Sequence, residues 1–157
     1  MNDYQKSITV GNTAEEVYSA ITEHIQDWWS DDFSGASVKK SDQYNITFVG
    51  TKKTFEIIEA IPNQRVVWLC LKAYIDMDTL QKKDEWVGTR LIWTIASNDQ
   101  GSTLTFLHEG LNKSFECYDV CAPAWDYFIP SLQAFITTGK GTPFHRQEAK
   151  LEWEENN

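Results

Sequence analysis

The stretch AWDYFIPSLQAFITTGKGTPF, residues 124–144, carries the reading of the fold. Trp125, Phe128, Ile129, Leu132, Phe135 and Ile136 recur at helical spacing and so share one face of a helix. Upstream, Cys117, Tyr118, Cys121 and Ala122 extend the same stripe, which predicts one helix over about residues 116–138. At about 1.5 Å per residue its length is on the order of 30 Å, enough to cross a small domain. A proline, Pro130, stands inside it. At about 100° per residue, Pro130 falls with Asp119, Asp126, Gln133 and Thr137 opposite the stripe. The carbonyl it frees, that of Asp126, then faces water, and a proline so placed bends a helix away from itself. The expected outcome is a stripe concave toward a curved sheet. Gly139 ends the helix, because glycine takes the left-handed conformation of a C-terminal cap without strain.

Ahead of this helix the periodicity changes from helical to alternating. Tyr4–Val10 alternates and predicts a strand of edge type. Thr13-Ala-Glu-Glu16 is a capping box that opens a short helix over 14–21, and residues 25–29 predict a second one. SDDFSG reads as a turn. Four or five strands follow. Tyr44, Ile46 and Phe48 share one face, as do Phe55, Ile57 and Ile61. RVVWLCL, residues 65–71, is apolar on both faces, as a central strand is. Leu91, Trp93 and Ile95 align, then a hairpin turn at 98–101, then Leu104, Phe106 and His108. Residues 73–87 carry no clear period and read as a strand end with a polar loop. The predicted class is α+β: a curved antiparallel sheet wrapped around a long C-terminal helix, with two short helices after the first strand. Residues 1–144 form the one expected domain, and 145–157 a polar, acidic tail.

The chain has 157 residues, enough for a real core, and 13% of them are aromatic, with seven Trp. The net charge of −9 comes without a basic stripe, which speaks against nucleic acid and anionic membrane as partners. No stretch approaches the roughly 18 apolar residues of a membrane span, and the N-terminal residues lack a signal-peptide pattern. Three cysteines, Cys70, Cys117 and Cys121, make no disulfide framework, and a reduced, cytoplasmic protein is expected.

The segments AEEVYSAIT with DWW, NQRVVWL, DEWVGTRLIW, LTFLHEGL, ECYDVCAPAW and ITTGKGTPF, spread over about residues 4–144, occur in a telling order. In them the chain resembles the Bet v 1-like, START-like (SRPBCC) superfamily of helix-grip proteins. Within it, the chain resembles the bacterial branch named for homology to the activator of the Hsp90 ATPase. The resemblance implies a cavity between sheet and helix, apolar ligands in many relatives, and no shared cofactor. Some distant relatives are cyclases or hydroxylase-associated modules. Two features depart from the pattern. Pro130 stands where ordinary helix formers are expected. The chain also has one domain, whereas the eukaryotic co-chaperone carries a separate amino-terminal domain for much of its chaperone contact.

No Ser-His-Asp order, carboxylate pair or phosphate loop is visible, so no catalytic residue, metal or cofactor is expected. His108 and Glu109 are strand neighbours on opposite faces and cannot act as one acid–base pair. His108 reads either as a satisfied structural histidine or as a polar contact at a cavity mouth. Cys117 and Cys121, one helical turn apart, lack the further ligands of a metal site and read as small core residues. Lys140 in TGKGT follows a helix where a phosphate loop would precede one. The expected cavity wall is Phe48, Phe55, Ile57, Trp93, Phe106, His108, Tyr118, Cys121, Trp125, Phe128 and Leu132. The expected function is binding of an apolar or amphipathic small molecule, lipid-like or polyketide-like. One alternative is a co-chaperone-type module with a chaperone as partner. Another is a cyclase-like or hydrolase-like enzyme with His108 and Tyr118 as its polar groups.

Overall fold

A computed structural model describes residues 2–146. Its elements run β1 (Tyr4–Val10), α1 (Ala14–Thr22), a single 3-10 turn (Ile25–Asp27), β2 (Phe33–Gly35), β3 (Gln43–Phe48), β4 (Thr51–Ile61), β5 (Arg65–Tyr74), β6 (Arg90–Asn98), β7 (Gly101–Glu109) and α2 (Tyr118–Thr138). The seven strands form one antiparallel sheet in the order β1-β7-β6-β5-β4-β3-β2. From β2 to β7 it is a meander, and β1 closes onto the β7 edge with Tyr4 opposite His108 and Val10 opposite Ser102. The register of β4 on β5 shifts between Thr54 and Phe55 and again between Ile57 and Glu59. Such irregularities raise local twist and bend a sheet.

Strict alternation puts one residue set on the helix side. In β7 it is Ser102, Leu104, Phe106 and His108, and in β6 Leu91, Trp93 and Ile95. β5 is the middle strand, and Val67 is buried beside the inward set Val66, Trp68 and Cys70. The Thr13–Glu16 capping box is formed, and Val17, Ala20 and Ile21 of α1 are buried. Two expectations change. Ile25–Asp27 makes a single 3-10 turn where a second helix over 25–29 was expected. SDDFSG is not only a turn: Phe33–Gly35 pairs with Tyr44–Ile46 as a seventh strand. Gly35 is required there, since at φ 102° an added Cβ would lie 2.4 Å from the Gln43 carbonyl oxygen.

α2 is continuous through two prolines, Pro123 and Pro130, both exposed. They are seven residues apart and therefore lie on the same outer face. Gly139 caps the helix at φ 84°, its N–H donating to the Phe135 carbonyl. The chain then turns back beneath α2. Ser131 Oγ accepts from the Thr142 N–H and donates to the Trp28 carbonyl. Phe144 pairs with Ser30 as an isolated parallel bridge. Of the expected tail, His145 and Arg146 contact Asp31, and the rest lies outside the described residues.

Candidate functional site

The segment between β5 and β6 gave no readable period, yet it supplies one wall of the site. Glu85 holds it in place: its carboxylate accepts from the backbone N–H groups of Glu116 and Cys117 at the start of α2. A carboxylate there meets the positive end of the helix dipole. The Lys82 N–H donates to the Glu116 carboxylate, and Lys83 Nζ donates to the Met77 and Leu80 carbonyls. The result fixes Trp86 inside the protein, stacked on Trp125 with centroids 6.0 Å apart and an interplanar angle of 16°.

Next to Trp86 lies a closed chain of hydrogen bonds. Trp125 Nε1–H donates to His108 Nδ1 (3.1 Å), so the other ring nitrogen of a neutral His108 carries the proton. That Nε2–H donates to Thr89 Oγ1 (3.0 Å), whose own O–H donates to the Trp86 carbonyl (2.7 Å). Every group in the chain is used. Burial, with Lys53 nearby, lowers the His108 pKa from 6.5 to about 3. His108 is thus spent on holding Trp125 and Thr89 and has no nitrogen left for a substrate.

Above Trp86 and Trp125 is a cavity of about 230 Å³. The sheet contributes Phe48, Thr51 and Lys53, and the β5–β6 segment contributes Ile75, Met77 and Trp86. α2 contributes Val120, Cys121, Ala124, Trp125 and Phe128, and Trp29 closes one side. Val120 and Ala124 form an exposed rim. The lining is apolar apart from Thr51, Lys53 and the Cys121 thiol. Cys121 Sγ accepts from Trp86 Nε1–H (3.3 Å) and lies 2.7 Å from Cys117 Sγ. Sharing that bond holds the Cys121 thiol below its ordinary pKa and Cys117 above. Cys70 is pushed up to about 12 by burial. All three cysteines are free, and among the described residues no cluster of His, Cys, Asp and Glu could hold a metal.

Of the expected wall residues, Phe48, Cys121, Trp125 and Phe128 line this cavity. Phe55, Ile57, Trp93, Phe106, His108 and Leu132 are buried in the core behind it and do not line it. Tyr118 faces away, into a surface depression shared with Tyr4 and Asp126, and so does not meet His108 in the cavity. Trp86 and Lys53 were not among the expected residues. Nothing local marks Trp86, whereas Lys53 has the same strand parity as Phe55 and Ile57, and a charge at an inward position is a readable signal.

No protein-family model and no curated protein matches the chain. Solved structures do. The Aha1 dimer from Colwellia psychrerythraea matches with a TM-score of 0.72 and 24% identity, over 90% of this chain and 100% of that one. DynU16, a protein from the dynemicin biosynthetic locus, matches with a TM-score of 0.69 and 19% identity. The match covers 94% of this chain and about half, 52%, of DynU16. CalU16 from Micromonospora echinospora matches at 0.59 and 16%, over 96% of this chain and 80% of that one. At these identities the likeness establishes the fold. Among the described residues no helix is long and apolar enough to cross a membrane.

Proposed function

We propose that this domain, which has the helix-grip fold of the Bet v 1-like superfamily, binds a small apolar or amphipathic molecule in the cavity between its sheet and α2. One observation carries the reading: about 230 Å³ of space walled by Trp29, Phe48, Met77, Trp86, Trp125 and Phe128. Such apolar clefts with a few polar groups are what small-molecule sites look like. A cavity of about 150 Å³ accommodates benzene, so this one suits a ligand on the order of ten non-hydrogen atoms. That is smaller than a full lipid and fits a short acyl chain or a compact ring system. A small organic ligand is also in keeping with the likeness to a protein from a biosynthetic locus.

The test is methyl-resolved NMR with octanamide, a neutral probe of that size. The methyls of Ile75, Met77 and Val120 should shift on titration, while those of Val66 and Ile95, buried elsewhere in the core, should not. Shifts confined to other surfaces, or none, would refute the reading.

A further inference from the structure

Lys53 is 8% exposed, points inward from β4 and lines the cavity. Its Nζ sits 3.6 Å from the ring centroid of Trp86 and 5.6 Å from that of Phe48. No carboxylate pairs with it, and no hydrogen-bond acceptor for its N–H groups is found among the described residues. The ionisable groups near enough to interact with it are the thiols of Cys121, Cys70 and Cys117 and the imidazole of His108. This is unusual in a chain whose Asp and Glu outnumber Lys and Arg 23 to 14. A buried ammonium is costly unless it is paired. The face of Trp86 returns part of that cost through its quadrupole, but a ring face accepts no conventional hydrogen bond. The donors therefore remain available on the side that faces the cavity.

Resting on the cavity reading above, the geometry points to a more specific ligand: an amphipathic monocarboxylate whose acid group is bound by Lys53 while its apolar body lies against Trp125 and Phe128. The single cation sets the charge of the ligand. One ammonium matches one carboxylate, whereas a phosphate dianion would leave a charge uncompensated among apolar walls. Thr51, two residues before Lys53 on the same strand face, supplies a second polar group. Its Oγ1 accepts from the Asp76 N–H, which leaves its own O–H to donate to the second carboxylate oxygen. Burial lowers the Lys53 pKa, and a carboxylate beside it would reverse that shift.

Octanoate and octanamide match in size and differ in charge, so calorimetric titration of both at neutral pH isolates the acid group. The wild-type chain should bind octanoate at least about tenfold more tightly than octanamide, the usual gain of a charge-assisted bond. Lys53→Met keeps the length and removes the charge, and should bring that ratio to about one. Equal affinities in the wild-type chain, or an unchanged ratio in Lys53→Met, would overturn the proposal and leave the cavity reading standing. If neither compound binds, both readings fall. The wild-type ratio decides the matter even if the variant does not fold.

Discussion

Trp125 Nε1–H donates to His108 Nδ1 over 3.1 Å, and this bond joins α2 to the last inward residue of β7. It requires a neutral imidazole. The folded-state pKa of His108, about 3, lies below the ordinary 6.5, so below pH 6.5 the unfolded chain binds the proton first. Stability is therefore full above about 6.5 and falls as the pH drops toward 3, by up to about 1.4 kcal/mol per pH unit inside that window. Urea unfolding at pH 7, 6 and 5 measures it. His108→Gln, which can keep an acceptor and a donor, should flatten the slope. An unchanged slope would assign the acid sensitivity to other groups.

Two buried tryptophans separate the worth of a hydrogen bond from that of packing. Trp28 Nε1–H donates to the Ala20 carbonyl (2.9 Å), whereas Trp68 Nε1 has no partner among the described residues. Both are fully buried, and substitution by Phe removes the same atoms from each. Trp28→Phe should cost more than Trp68→Phe by about 1 kcal/mol, since it also breaks a satisfied bond. Chemical denaturation of the two variants gives the difference, and equal losses would contradict it.

Pro130 and Pro123 lie on the outer face of α2, where each removes one backbone hydrogen bond. Pro130→Ala restores the bond to the Asp126 carbonyl at an exposed position. The unfolding midpoint should rise, with a gain of up to about 3 kcal/mol, and octanamide affinity should change to the extent that Pro130 sets the course of α2 past the cavity. A variant that unfolds would make the proline a required packing piece. A variant unchanged in both readouts would make it inert.

Periodicity made most of the architecture legible. Alternation in Leu104, Phe106 and His108 and the stripe through Trp125 and Leu132 sufficed for the sheet, the long helix and their contact. Phe33–Gly35 was missed because three residues show no period, and pairing with β3 alone makes them a strand. Pro123 stands seven residues before Pro130, a spacing that repeats the same helix face. The cavity was harder to read, because inward parity marks a residue as facing the helix without saying whether another side chain meets it. Phe55, Ile57 and Trp93 face inward and are packed over, while Phe48 faces inward and is left partly open. Trp86 reaches the site through the hold of Glu85 on the start of α2, a contact between residues 31 and 32 positions apart that no local pattern contains.

The cavity itself is tested most directly by calorimetric titration with octanamide of the wild-type chain beside Ala124→Trp. Ala124 is an exposed residue at the rim, so a larger side chain there fills the opening without entering the core. The account predicts saturable one-to-one binding by the wild-type chain. In Ala124→Trp that binding should be weakened by at least about tenfold, with the unfolding midpoint unchanged. Binding that is equal in the two chains, or absent from the wild-type chain, would contradict it.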